Sequence, residues 1–350
     1  MTWDVALILG IDGLANGAVY LLAGLGLVLI FSVTRVVFVP FGDVAAFAAL
    51  SLAAFEQNRL PPTVGLVLTL AALALAAEIV SLLRRGEAAR IPRAVLGWGV
   101  LPAIPCAIAW AVAGQPLPSA VHIAVAILLV VPITPLVARL VLQPIADASV
   151  LVLLIVSLAL HFLLSGLGLM FFGPEGSRTA PLTSGAISLG GFSVSGQVLL
   201  MIASAIVLSA LFFLAFERTV MGKALRATAV NRVGARLVGI RPARTALLAY
   251  GFASLLAGLI GVLVAPAMTM YYDSGFLIGL KAFVAAIIGG LVSYPLTAIG
   301  ALAVGIAESF ASFWSGALKD VIVFSLLIPV LMLRSYLAVH TEEETEEIDQ

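Results

Sequence analysis

The sequence predicts an all-α, polytopic membrane protein of about 10 to 11 transmembrane helices, broken or re-entrant segments included, and three observations carry that expectation. Apolar residues make up 62% of the chain against 10% charged, with a mean hydropathy of +1.20. That is more apolar side chain than one water-soluble core of 350 residues can enclose. Runs of the roughly 20 apolar residues needed to cross a hydrocarbon core about 30 Å thick recur along the whole length. The basic residues are clustered, and two segments hold 11 of the 18.

The first run, near 5–33, follows MTWDVALIL, which lacks the basic n-region and cleavage site of a secretory signal and is expected to stay in the mature protein. It ends in SVTRVVFVPFGDVAAF, residues 32–47. There Pro40 and Gly42 break the helix, Arg35 is expected to anchor at the interface, and Asp43 to cap the next run, 42–55. Further runs lie near 63–83, 94–113, 119–142, 149–172, 197–216, 246–268, 278–293, 295–315 and 320–336. Two of them, 42–55 and 278–293, are short enough for half-helices or re-entrant pieces. The lone Cys106 excludes an internal disulfide and reads as a buried filler.

Orientation follows from the Lys and Arg residues. RRGEAARIPR, 84–93, carries four, and ERTVMGKALRATAVNRVGARLVGIRPAR, 217–244, carries seven, so both are expected on the cytoplasmic side. Four runs separate them, the even number that two same-side loops require. The Gly- and Ser-rich stretch 173–196 and MTMYYDSGF, 268–276, then fall outside. The carboxy terminus is expected in the cytoplasm, where residues 337–350, rich in Glu and without a basic residue, form a disordered acidic tail.

Ionisable residues inside a bilayer cost roughly 2.5 to 3.5 kcal/mol each, so they face other helices or a watery path. The candidates are Asp12, Asp43, Glu78, His161, Lys281, Glu308, Lys319 and Asp320. Lys319 and Asp320 suit a cap or an interfacial pair, His161 a hydrogen bond to a neighbouring helix, and Lys281 with Glu308 an interhelical ion pair. Glycines serve first as close-packing positions. The echo of LLAGL at 21–25 and 255–259 hints at two related halves about a central path. There is no GxxxxGK[ST] phosphate loop, no HExxH, and only His122, His161 and His340 as imidazoles. The chain is therefore expected not to be an enzyme, and no cofactor, metal or nucleic-acid partner is expected.

The loop at 217–244 reads either as a positive-inside anchor or as a small-residue face for close docking. MGKALRATAVNRVGARLVGIRPAR resembles the coupling loop of membrane subunits of bacterial ABC importers of the branched-chain amino-acid permease family. IGLKAFVAAIIGGLVSYPLTAIGALAVGIAES, 278–309, is similar to the glycine-rich carboxy-terminal signature of that family, and LKD follows at 318–320. GLANGAVYLLAGLGLVLIFSVTRVVFVPFGD, 13–43, resembles its opening helix and turn. The resemblance implies one transmembrane permease domain over 1–336, like type II ABC importer permeases, in the bacterial inner membrane among its lipids. It implies cytoplasmic ABC ATPase subunits, a second permease subunit, identical or homologous, and an extracytoplasmic solute-binding protein as partners. ATP hydrolysis is then expected on the ATPase subunits.

Three departures stand out. Phe38, Val39, Pro40, Phe41 and Gly42 replace the usual Asn-Phe-Ala-His-Gly, the segment 62–118 is longer by about two helices, and Ala138, Arg139, Gln143 and Pro144 replace charged and Arg-Pro positions. The resemblance implies a substrate path along Tyr20, Phe38, Phe41, Gly42, Asp43 and Lys281, and ATPase coupling through Gly222, Ala227, Arg232, Ala235, Arg236, Gly239 and Ile240. Phe38 and Phe41 either line that path, favouring apolar or aromatic solutes, or pack the turn against a neighbouring helix. The cargo is expected to be a branched-chain or other amino acid, or a related carboxylate or amide. An ion-coupled carrier or channel, and a scaffold that transports nothing, are the other classes open to the sequence.

Overall fold

In a computed structural model, residues 3–183, 185–189 and 192–332 are described. The helices in chain order are α1 Trp3–Thr34, α2 Phe41–Glu56, α3 Thr63–Arg84, α4 Ile91–Ala94, α5 Leu101–Val112, α6 Ser119–Val130, α7 Ile133–Val137 and α8 Val150–Phe172. A short antiparallel hairpin, β1 Ala186–Leu189 and β2 Phe192–Ser195, follows. The remaining helices are α9 Gly196–Arg218, α10 Val220–Val230, α11 Arg232–Leu237, α12 Pro242–Val264, α13 Gly275–Ile288, α14 Tyr294–Trp314 and α15 Lys319–Ser325.

Among the described residues, eight helical stretches are long and apolar enough to cross a membrane, two of them assembled from pieces, Ala88–Val112 and Ser119–Leu142. Prolines cause the breaks. Pro102 and Pro105 in the first and Pro132 and Pro135 in the second withhold backbone N–H groups, and the helix widens into π turns at Val95–Val100 and Ala138–Leu142. The two short runs are the half-length helices α2 and α13. The last run is helical at 319–325 and 327–332, and the rest of it, with the acidic tail, lies outside the described residues.

Several boundaries differ from expectation. The basic segment 84–93 is largely absorbed into helix, and 217–244 folds into α10, α11 and the start of α12. Asp43 does not cap α2: the helix starts at Phe41 behind Pro40, with no side-chain cap, and Asp43 sits inside the first turn. Proline supplies the fixed φ that starts a helix, which leaves the carboxylate free to bond elsewhere. The hairpin falls in the Gly/Ser-rich stretch, where a helical pattern gave no warning of strands.

The interior is set by α1, α2, α12, α13 and α14. Glycines let α1 and α14 touch backbone to backbone: a Cβ on Gly13 would lie 2.7 Å from Ile306 Cα, and one on Gly17 2.9 Å from Leu302 Cα. α1 and α12 run in opposite directions, since Leu29 and Val33 near the end of α1 pack with Ala249 near the start of α12. Each is followed by a short helix. Leu21 and Leu255, which open the LLAGL echo, and Phe41 and Gly275, which open the short helices, are both separated by 234 residues. The starts of α2 and α13 then meet, because a Cβ on Gly42 would overlap the Gly275 carbonyl. This is the arrangement of an inverted repeat with broken helices at its centre.

The segment 62–118 packs as a peripheral hairpin of α3 against α4 and α5. Glu78 on α3 pairs with Arg139, whose guanidinium lies 5.8 Å from the Trp98 ring centroid. Many Leu, Val and Phe side chains of α5, α8 and α9 face outward, as lipid requires. The stretches read as outside meet one another. Ser177 bridges Met270, and Arg178 donates to the carbonyls of Pro266 and Ala267. We call that side outer and the side of the basic segments inner.

Candidate functional site

Two cavities open on opposite sides, and α1 reaches both. The outer one, about 790 Å³, lies between α1, α9, the hairpin and the α14 to α15 turn, and Asp12, Ala15 and Asn16 of α1 line it. The inner one, about 280 Å³, is lined by Thr34 at the end of α1, Arg139, Asp147, Arg232, Arg236 and Tyr250.

Beneath the outer cavity lies a buried charge network. Glu308 of α14 lines the cavity, accepts from Tyr20 Oη at 2.5 Å, and takes Lys281 Nζ at 2.5 Å. The same ammonium stands 2.8 Å from Asp320 Oδ1 at the start of α15. One lysine between two carboxylates, with a phenol donating to one of them, offsets part of the cost that each charge would carry alone at this depth. Sequence reasoning singled out Lys281 and Glu308 as a pair, and Tyr20 joins them because residue 20 faces α14 across the glycine seam. Asp320, expected as an interfacial cap or pair, takes the pairing role.

A second buried group sits where α2 and α13 begin. His161 Nδ1 of α8 lies 2.7 Å from Asp43 Oδ2, and its ring stacks on Phe276 of α13 with centroids 4.4 Å apart. Asp43 is fully buried, and its Oδ1 has no partner among the described residues. The carboxyl group sits in the first turn of α2, the end of a helix that favours an anion. His161 thus makes the interhelical contact expected of it.

Phe38 and Phe41 are closed in on all sides. Phe38 meets Tyr250 edge to face at 5.6 Å, so it backs a wall of the inner cavity without lining it. Phe41 fills the space over Gly26, where a Cβ would collide with its ring. Arg35 is exposed, in left-handed backbone at φ 63°, with its guanidinium 6.0 Å from the Phe31 ring centroid.

On the inner side, Thr219 caps α10 and Asn231 caps α11, each side chain accepting from backbone N–H groups of the following turn. Of the expected coupling residues, Gly222 is buried against the Phe216 backbone and Ala235 is buried, while Ala227 and Ile240 are half-buried. Gly239 ends α11 at φ 85°, and Arg236 lines the inner cavity. Arg232 donates to the Val33 carbonyl through NH2 at 2.8 Å and Nε at 3.2 Å, tying α11 to the end of α1. Thr228 and Thr245 hydroxyls meet at 3.1 Å and tie α10 to α12. These residues build the platform. What it presents was missed in the sequence: Val230 at 86% exposure, Val233 at 67%, Leu237 at 84% and Val238 at 75%. Only Val233 and Leu237, four apart on α11, share a helical spacing, and the break at Asn231 between α10 and α11 hides the rest of the row in residue order.

The family described as "Branched-chain amino acid transport system / permease component" is matched over residues 10–332. The high-affinity branched-chain amino acid transport system permease protein LivH of Escherichia coli (strain K12) is 39% identical over 123 residues, 35% of this chain and 39% of the relative. The corresponding protein BraD of Pseudomonas aeruginosa is 35% identical over 153 residues, 43% of this chain and 50% of the relative. The probable branched-chain amino acid transport permease protein LivH of Methanocaldococcus jannaschii is 29% identical over 213 residues, 57% of this chain and 68% of the relative. The matched stretch thus spans 39% of the first of these relatives. No solved structure matches the chain.

Proposed function

Because the chain belongs to the branched-chain amino acid transport permease family, we propose that it forms the translocation path of an ABC importer for a small organic solute, a branched-chain or other amino acid or a related carboxylate or amide. Separate ATPase subunits drive it from the inner side of the cytoplasmic membrane. A second permease subunit completes the path, and a solute-binding protein delivers cargo to the outer side. The observation that carries this reading is the exposed row Val230, Val233, Leu237 and Val238 on α10 and α11. Exposed apolar side chains on two capped helices, between membrane-crossing segments, mark a docking surface.

The platform is wired to the bundle. A partner that moves α10 and α11 pulls on α1 through Arg232 and on α12 through Thr228. Those two helices flank the inner cavity and, through α2 and α13, the crossing at Gly42 and Gly275. Transport is then a population shift between a packing open outward and one open inward, driven by the different affinity of the ATPase for each.

The buried network of Lys281, Glu308 and Asp320 favours a second reading, an ion-coupled carrier whose coupling ion titrates or displaces these groups. One experiment separates the two. Tagged protein extracted in mild detergent is expected to bring down a P-loop ATPase, and uptake into vesicles to need ATP. Absence of the ATPase, with uptake that survives ATP depletion and collapses with the ion gradient, selects the carrier.

A further inference from the structure

One face of the peripheral hairpin ends in charges that the rest of the chain does not use. On α3, Leu70, Leu73, Ala77, Val80 and Arg84 follow one another at steps of three and four, the spacing of a single helical stripe, and Arg85 comes next. The stripe lines a cavity of about 990 Å³, shared with Leu160, Leu163 and Leu167 of α8 and with Leu140 and Val141 of the π turn Ala138–Leu142. α3 and α8 touch at the outer end, where a Cβ on Gly65 would lie 2.9 Å from the Phe171 ring. The arginines stand at the inner end. The cavity is therefore a slot, apolar along its length, whose lining holds no ionisable group but Arg84 and Arg85. Both are exposed, and among the described residues neither guanidinium has an ion-pair or hydrogen-bond partner. The acids nearest in the chain are taken, Glu87 by Arg90 and Glu78 by Arg139.

We propose that this slot holds an anionic phospholipid of the inner leaflet, with its phosphate on Arg84 and Arg85 and an acyl chain along the leucines. From Arg84 back to Leu70 the helix rises about 21 Å, more than the roughly 15 Å that one leaflet contributes to the hydrocarbon core. A tail that starts at the arginines thus lies against the slot through its leaflet. Leu73, Val80 and Leu163, exposed in the chain alone, are what it covers. Charge complementarity selects the head. Two adjacent guanidiniums suit phosphate oxygens, which they bind through paired N–H donors. A zwitterionic lipid fills the slot but brings a second cation to two that already lack a partner. A soluble phosphate meets the arginines and leaves the apolar length uncovered. An anionic phospholipid answers both ends.

The inference needs only that these helices cross a membrane, and neither the importer nor the carrier reading enters it. Its test reads lipid binding to the full chain, purified in mild detergent and freed of bound lipid. Native mass spectrometry follows adducts with dioleoyl phosphatidylglycerol and with dioleoyl phosphatidylcholine, which has the same tails under a zwitterionic head. Glycerol 3-phosphate serves as a competitor without tails. Phosphatidylglycerol is expected to bind about ten-fold more tightly than phosphatidylcholine, and glycerol 3-phosphate not to displace it. Arg84→Gln combined with Arg85→Gln is expected to erase that preference. Arg93→Gln, which removes an exposed arginine of the same basic segment outside the slot, is expected to keep it. Ala77→Trp places a ring in the slot from an exposed position and is expected to weaken phosphatidylglycerol binding about ten-fold. Equal binding of the two lipids, displacement by glycerol 3-phosphate, an equal loss in Arg93→Gln, or full binding in Ala77→Trp overturns the site.

Discussion

Lys281 Nζ of α13 lies 2.5 Å from Glu308 Oε1 of α14, with both side chains almost closed off from solvent. The pair bonds the half-length helix α13 to the helix that carries the outer cavity floor, and Tyr20 and Asp320 extend the link to α1 and α15. Lys281→Met strands two carboxylates without their cation, at a cost of about 3 to 5 kcal/mol. Adding Glu308→Gln removes one stranded charge and is expected to recover a large part of the loss. Thermal unfolding in detergent checks both; equal melting temperatures for the single and double variants would contradict the ion pair.

The crossing of α2 and α13 leaves no room for a side chain. Gly42→Ala and Gly275→Ala each drive a methyl into backbone, which cannot swing aside as a flexible side chain can. Each is expected to cost about 1 to 3 kcal/mol and to lower uptake, since the half-helices must separate by the width of a methyl. Gly166→Ala on α8, where a Cβ meets nothing within 4 Å, is the control and is expected to be neutral or stabilising by up to about 1 kcal/mol.

The two phenylalanines should part company. Phe41 fills a slot over Gly26, and Phe41→Ala is expected to cost about 3 to 5 kcal/mol while the order of preference across a solute panel stays unchanged. Phe38 backs Tyr250 at the inner cavity, and Phe38→Ala is expected to change uptake rates as well as stability. A Phe41→His variant with an altered solute ranking would return Phe41 to the path.

Arg232 is the hook between platform and bundle. Arg232→Ala removes a charged hydrogen bond to the Val33 carbonyl, worth roughly 1.5 to 3 kcal/mol. ATP hydrolysis by the assembled complex is expected to continue while uptake per ATP falls about ten-fold. Parallel assays of phosphate release and solute accumulation check this, and an unchanged ratio argues against the hook.

Much of this architecture was legible in residue order. Apolar runs located the membrane helices, since length and hydropathy are local properties, and the basic clusters at 84–93 and 217–244 give an expectation of sidedness. Lys281 and Glu308 were legible as unusual because a charge in such a run needs a partner, but the meeting of residues 27 positions apart depends on how α13 and α14 pack. The hairpin at 186–195 was hidden because short strands in a Gly/Ser-rich stretch leave little periodicity. The reach of Asp43 to His161, 118 residues away, was read as a local cap because capping is the nearest use for a carboxylate after a proline. Tertiary partners competed with local ones, and at this site they won.

The central claim is that the apolar row on α10 and α11 receives an ATPase. Val233→Glu combined with Leu237→Glu changes only exposed side chains, so stability is expected to stay within about 0.5 kcal/mol per site. The measurement is the amount of P-loop ATPase that co-purifies with the tagged protein, read alongside ATP-driven uptake in vesicles. The account predicts that the double variant folds and inserts normally, yet brings down no ATPase and accumulates no solute. A double variant that retains the ATPase in full and transports at the unmodified rate would contradict it.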